Sequence, residues 1–261
     1  MSALTLSADL IEIALLLGIV LYLFNHADDS ERRSPIMLLA FSYAVLFVSN
    51  LYWVAHELMT REAIYEFSAI DIASAGFFLL AGASLGMMLR REEGLDVPVC
   101  VGSGAFAVGQ GVLWFIWTGA WLKDLVGCLP TWYLTYYVVC ALKVTRAFSK
   151  GERIALVAFS LSVFALQAWG FVARDTYGSL LDAGSGIVCL AVTAYLAVRL
   201  WRSWQGPKAL GQTVALAFAV VDWTFSSMYL MYDPLYSVFL LLSSVALVIV
   251  GIAVVRKVEA A

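Results

Sequence analysis

The chain has 261 residues, of which 62% are hydrophobic and 13% are charged, and its formal net charge is −3. Because so little polar surface cannot keep a globule of this size in solution, the composition excludes a soluble domain and predicts that the bilayer is the solvent. A small net charge without a long basic run is not typical of nucleic-acid-binding proteins, so we expect no nucleic acid as a partner.

Nine apolar segments follow one another along the chain, and about 20 apolar residues suffice to cross roughly 30 Å of hydrocarbon as a helix. Charged residues, proline and glycine mark the short connections between them. The pattern predicts an all-α polytopic transmembrane helix bundle of about nine helices, a single transmembrane domain over residues 1–261 in the cell membrane. The segments cover residues 5–25, 36–57, 67–89, 98–119, 128–146, 153–172, 177–200, 211–230 and 235–255.

The first segment has no basic residue before it and no small-residue cleavage site before Asn25. We therefore expect a retained first helix and not a removed signal peptide. The four cysteines are scattered without a CxxC spacing, which favours buried single thiols over a disulfide framework. They are Cys100, Cys128, Cys140 and Cys189.

Lysine and arginine sort to alternate connections, and short loops rich in these residues stay in the cytoplasm. The connections after helices one, three, five and seven, together with the C-terminal end, hold 13 of the 16 basic residues. The opposite side keeps Arg61, Lys123 and Arg174. This sorting predicts an N-terminus outside the cell and a C-terminus in the cytoplasm.

A weak internal repeat links the third and seventh helices. The eight residues that begin at Ser68 and include Asp71 resemble those that begin at Ser179 and include Asp182. Extended along the chain, the offset pairs helices two to five with helices six to nine in the same orientation, as in some transporters. A repeat of this kind carries no function by itself.

Polar side chains inside the hydrocarbon gather in the predicted outer halves of the helices, whereas the inner halves are apolar. Lysine and arginine are absent from those outer halves, and unpaired carboxylates in a low dielectric take up protons or bind cations. We hypothesise an outward-facing acidic polar cavity for a proton, a cation or a cationic small solute. The candidate binding residues are Asp71, Asp182, Asp222, Gln110, Gln167, Asn50, Ser74 and Ser185, with His56 as a proton relay.

The same residues have a structural interpretation, since embedded polar groups form interhelical hydrogen bonds worth about 0.6–2 kcal/mol each. For Glu12 and His56, which lie close to the predicted outer boundary, the position favours solvation. Asp9 and Glu57 belong to an acidic outer edge that would attract cations. Thr131 lies at the same predicted depth as the candidate residues.

Several kinds of site do not fit. His56 and His26 lie at opposite ends of the predicted bundle, which excludes a two-histidine haem or metal site within one subunit. Every lysine lies in a loop or at a helix end, which excludes a retinal Schiff base. A Ser-His-Asp arrangement from Ser68, His56 and Asp71 lacks a nucleophile-elbow motif. We therefore name no catalytic residue, no metal and no cofactor.

Small residues and aromatic residues suggest where the helices pack. Helices three, four and seven carry rows of small residues along one face, such as Gly82-x-x-x-Gly86, which allow close helix approach. We call these rows seams, and they predict that the three helices form the packed centre. Aromatic residues close to polar ones are typical of core or lipid contacts and, less often, of a pocket that holds an organic cation. They are Tyr52, Trp53, Trp114, Trp169 and Trp223.

Three functions agree with these patterns. The leading hypothesis is a small carrier or permease, with the lipid bilayer and a small cationic solute or proton as its partners. The second is a non-catalytic sensor or accessory subunit that docks a membrane protein or a second copy of itself. The third is an intramembrane enzyme that modifies lipid.

Overall fold

The computed structural model describes the backbone of residues 3–28, 33–59, 69–89, 95–118, 121–206, 208–227 and 233–259. Side chains are described for the same residues apart from 3, 28, 117–118, 121–126, 170–171, 174–183, 225–227 and 233–235. Every secondary-structure element in these ranges is a helix.

Each of the nine predicted segments overlaps one helix of the structure, so the described ranges confirm an all-α fold with nine helices. Seven of the nine are long and apolar enough to cross a membrane, which supports a multi-pass membrane protein. The other two are α5 and α8, and α8 contributes a shorter apolar stretch, Ala209–Thr224. The helices are α1 (Ala3–Asp28), α2 (Arg33–Met59), α3 (Ala69–Leu89), α4 (Val97–Thr118), α5 (Trp121–Val144), α6 (Lys150–Val172), α7 (Arg174–Ser203), α8 (Ala209–Ser227) and α9 (Asp233–Glu259).

α5 begins seven residues earlier than the sequence predicts, whereas the other helices begin within three residues of their predicted starts. α5 starts at Trp121 and carries Pro130 inside it, although the charged stretch up to Pro130 suggests a loop. α7 starts at Arg174, so that only Ala173 separates it from α6. The reason is that charge marks where the hydrocarbon ends, whereas a helix can continue into the interface with its backbone still paired.

Six helices form a closed ring. α1 packs on α2, α2 on α3, α3 on α5, α5 on α8, α8 on α9, and α9 returns to α1. α4 packs against α5 and also meets α8, where Phe106 lies against Phe218, and α7 packs against α8 with α6 beyond it. The ring brings together helices that are far apart in sequence and surrounds the site described below.

The predicted glycine seam of α3 lies at its contact with α5. A Cβ added at Gly82 would lie 2.7 Å from the Tyr133 ring, and one added at Gly86 would lie 2.8 Å from the Tyr137 ring. The two glycines therefore allow both aromatic rings to pack against the α3 backbone. α4 also reaches the centre, since its Gln110 bonds to α8 and its Trp114 lines the cavity described below. In α7 the predicted small-residue segment does not mark a close contact at Gly184, where an added Cβ would meet nothing within 4 Å.

The two ends of the bundle differ in charge. We call the end that carries Asp9, Asp71 and Asp222 the acidic end, and the end that carries Arg199 and Arg256 the basic end. Polar contacts link the helices at the basic end. They are Lys143 Nζ to Asp96 Oδ2 at 2.6 Å, Arg199 to Glu152 Oε1 at 2.9 Å, and Arg256 over the Trp204 ring at 5.1 Å.

The turn after α5 is fixed by its own hydrogen bonds at the same end. The Ala147 N–H donates to the Leu142 carbonyl and the Arg146 N–H to the Lys143 carbonyl, with Arg146 at a φ of 48°. This is a Schellman closure, with a left-handed residue after the helix. Gln212 of α8 donates to the Ala147 carbonyl at 3.2 Å, so the turn also anchors α8.

Candidate functional site

Asp222 and Gln110 meet between α8 and α4. The Gln110 amide nitrogen donates to both carboxylate oxygens of Asp222, at 3.2 Å and 3.4 Å. Gln110 is 5% exposed and Asp222 is half-buried. The sequence predicts both as candidate site residues, and the structure brings them together although they are 112 positions apart.

Asp222 also lines a cavity of about 70 Å³ inside the ring. A water molecule needs roughly 10–15 Å³ of such space, so the cavity has room for several waters or for part of a small solute. Its walls come from α2, α3, α4, α5, α8 and α9. They are mainly apolar, and Asp222 is the one charged side chain among the described residues that line them.

Three buried polar atoms in the cavity wall or directly beside it have no hydrogen-bond partner in the described structure. They are Gln110 Oε1, Trp114 Nε1 and Thr131 Oγ1, and both Trp114 and Thr131 line the cavity. A buried polar group without a partner costs about 1–3 kcal/mol, so such groups normally have a partner such as water or a ligand. We call Asp222, Gln110, Trp114 and Thr131 the Asp222 cluster.

The remaining wall of the cavity offers little to a polar ligand. The Tyr43 hydroxyl donates to the Leu247 carbonyl at 2.9 Å, and the Ser84 hydroxyl donates to the Pro35 carbonyl at 2.7 Å. Because both hydroxyls are already used between helices, they present mainly carbon to the cavity. The site therefore has one polar end, the Asp222 cluster, and an apolar remainder.

Other predicted site residues lie elsewhere. Asp71 and Ser74 are half-buried in the first two turns of α3, before Phe77, where that helix begins to line the cavity. Ser185 of α7 is buried and Gln167 is half-buried on the peripheral α6, and neither lines the cavity. Asp182 lies in the backbone of α7, but its side chain is outside the described residues.

Asn50 belongs to a second polar group, between α1 and α2. Its side chain forms a hydrogen bond with Glu12, and Asp9 interacts electrostatically with Glu57. Glu12 is 5% exposed and Asp9 is 3% exposed. The expectation that Glu12 is solvated and Asp9 lies on an exposed edge was wrong, because the packing of α1 against α2 and α9 covers both.

His56 and most of the predicted pocket aromatics have other surroundings. His56 is half-buried and stacks on Tyr52, with ring centroids 6.0 Å apart. Trp169 is 61% exposed on α6, and Trp223 packs between Phe159 and Phe239 in the core. Of the aromatic residues proposed for a pocket, Trp114 is the one that lines the cavity.

Comparisons of the chain with protein-family models, with curated proteins and with solved structures find no match.

Proposed function

We propose that this protein is a small membrane carrier that binds a cationic small solute at Asp222. The observation that supports this most is the Asp222 cluster: a carboxylate in the wall of an apolar cavity, with unpartnered polar atoms on Trp114 and Thr131 of the same wall and on Gln110, which bonds to Asp222. A carrier needs an internal site that a solute can fill and leave, and the cavity supplies one within the six-helix ring.

Electrostatics favours a cation over an anion or a neutral solute. An ionised carboxylate in an apolar setting is costly unless a cation or several donors compensate it. Among the described residues, the Gln110 amide is the one side chain that donates a hydrogen bond to Asp222, and no lysine or arginine lines the cavity there. A bound ammonium group, or a proton, would supply the missing compensation.

The test is uptake of small primary amines into liposomes that contain the purified chain. We expect saturable uptake by the wild type and a reduction of about 10- to 100-fold in apparent affinity for Asp222→Asn. The reason is that the substitution removes the charge but keeps the shape, and a hydrogen bond to a charged group is worth about 1.5–3 kcal/mol. Initial uptake rates over a range of amine concentrations measure the change.

Glu259→Gln is the matched control, because it also turns a carboxylate into an amide but lies exposed at the end of α9. It should leave uptake at the wild-type level. Equal uptake by wild type, Asp222→Asn and protein-free liposomes would refute the proposal.

We further propose that all nine helices cross the cell membrane with the acidic end outside and the C-terminus in the cytoplasm. The sorting of 13 of the 16 basic residues to one set of connections supports this orientation. In a chain without its four native cysteines, we expect an impermeant maleimide to label Glu62→Cys in intact cells. Gln205→Cys should react only after permeabilisation, and the reverse pattern would overturn the orientation.

The same-orientation repeat of helices two to five and six to nine is also kept as a hypothesis. The likeness between the segments around Asp71 and Asp182 supports it. The two halves nevertheless pack differently, since α3 lies against α2 and α5 whereas α7 lies against α6 and α8. A shared origin of the halves would therefore have to precede a change in helix packing.

A further inference from the structure

We propose that the carrier exchanges one proton for one cation, because Asp222 can be enclosed by the closed protein only when a proton or the solute neutralises its charge. This inference rests on the proposed function, since it assigns a coupling ion to the same site. It depends on the groups that surround the Asp222 carboxylate and on those that line the cavity.

The described residues around Asp222 supply no positive charge. Gln110 donates to both carboxylate oxygens, but its amide is neutral. The titratable side chains nearby are Cys189 of α7, which interacts electrostatically with Asp222, and Tyr43 in the cavity wall, whose hydroxyl donates to the Leu247 carbonyl. A thiol and a phenol are neutral or negative and never positive. The carboxylate therefore has no resident counter-ion among these groups.

Closing the protein around the empty carboxylate is therefore unfavourable. The wall of the cavity is mainly apolar, and an ionised group without a counter-ion loses hydration there that the Gln110 amide replaces only in part. A protonated carboxyl group, or a carboxylate with a bound cation, is neutral as a whole. Both loaded forms can consequently be enclosed, whereas the empty ionised form stays open to water.

These charge states make the exchange one for one. At one face of the membrane the carboxyl proton leaves for water and the cation binds the carboxylate, and at the other face a proton from water replaces the cation. A single carboxylate compensates one positive charge at a time, so the proton and the cation exclude each other. No net charge crosses the membrane in a full cycle.

Gln110 adjusts the balance between the two ligands, although it is not among the described residues that line the cavity. Its amide nitrogen lies 3.2 Å and 3.4 Å from the two carboxylate oxygens, and a hydrogen bond to an ionised group is about twice as strong as one between neutral groups. The amide therefore favours the ionised form, which binds the cation, over the protonated form. Without it, we expect the carboxylate to bind a proton about tenfold more tightly.

The first experiment measures the uptake of radiolabelled guanidinium into liposomes that contain the purified chain. Guanidinium stays charged at every pH used, so a pH gradient cannot trap it as a permeant neutral base. With the interior one pH unit more acidic than the outside, one-for-one exchange should accumulate it about tenfold. At equal pH, a tenfold potassium gradient with valinomycin, interior negative, should give no accumulation. Asp222→Asn should show neither response.

The two proposals fail separately in this experiment. Accumulation that depends on Asp222 but follows the potassium gradient and not the pH gradient would keep the carrier and refute the exchange. If neither guanidinium nor a small amine enters in an Asp222-dependent way under either gradient, the carrier is refuted and the exchange with it.

The second experiment measures guanidinium binding to the chain in nanodiscs by equilibrium dialysis over a range of pH. Binding should weaken about tenfold for each pH unit below a midpoint, because the proton competes for the carboxylate. Gln110→Met should move this midpoint up by about one pH unit. Gln205→Met makes the same change at an exposed position between α7 and α8 and should leave the midpoint where it is. Binding that does not depend on pH would overturn the exchange, and an unchanged midpoint in Gln110→Met would overturn the role given to Gln110.

Discussion

Replacement of Gly211 by alanine is expected to lower the free energy of unfolding by about 3 kcal/mol. Gly211 is buried near the start of α8, and an added Cβ would lie 2.9 Å from the Ala147 Cβ and closer still to Thr145 Oγ1. The turn cannot yield easily, because its own hydrogen bonds and the bond from Gln212 fix it. Overpacking of this kind costs about 1–3 kcal/mol, and displacing the Gln212 bond adds about 1 kcal/mol.

Gly102→Ala is the matched control, since a Cβ at this exposed position of α4 would meet nothing within 4 Å. It should be neutral or stabilise the helix by up to about 1 kcal/mol. Reversible unfolding in mixed micelles, followed by circular dichroism, measures both variants. Equal stability of the two would show that the contact of α8 with this turn is not as close as the structure has it.

Ala217→Phe is expected to abolish amine binding while leaving the protein as stable as the wild type or more so. Ala217 lines the cavity on the same face of α8 as Asp222. A phenyl ring there would occupy the space that we assign to the bound amine, and filling a cavity typically adds about 0.5–2 kcal/mol of stability. Thermal unfolding with and without methylamine separates the two effects.

The wild type should be stabilised by about 2.7 kcal/mol when methylamine is present at 100 times its dissociation constant. Ala155→Phe places the same ring on the exposed face of α6 and should keep that response. A full response to methylamine in Ala217→Phe would mean that the amine does not occupy this cavity.

The number of helices could be predicted from the sequence because each apolar segment is long and clearly bounded. Which helices are neighbours could not be predicted, because the hydropathy of a segment does not show which other segment it packs against. α3 packs on α5, and α5 packs on α8. The beginning of α5 was also missed. Charged residues and Pro130 predict a loop there, but at the edge of a bilayer they need not interrupt a helix.

The site was predicted in part for a similar reason. The candidates were chosen by their predicted depth in the membrane. This criterion found Asp222 and Gln110, which bond to each other, but it also included Asp71, which does not line the cavity. Depth gives the height of a residue and not the direction of its side chain. Thr131 was noted at the same depth without being assigned to the site, and Trp114 was named only among the pocket aromatics. The seven-residue spacing from Thr131 to Val138 is a signal that could have placed Thr131 on the face of α5 that lines the cavity.

In the proposed carrier, the contacts at the basic end would set how often the protein opens there. Surface ion pairs are worth about 0.2–1 kcal/mol each and a surface cation–π contact about 0.5–1 kcal/mol, while the hydrogen bond from Gln212 to the Ala147 carbonyl adds about 1 kcal/mol. Together they oppose opening by on the order of 3 kcal/mol, which corresponds to a minor state of roughly one molecule in a hundred or fewer. A solute that binds the open state a few hundredfold more tightly than the closed one would bring the two populations close to equality.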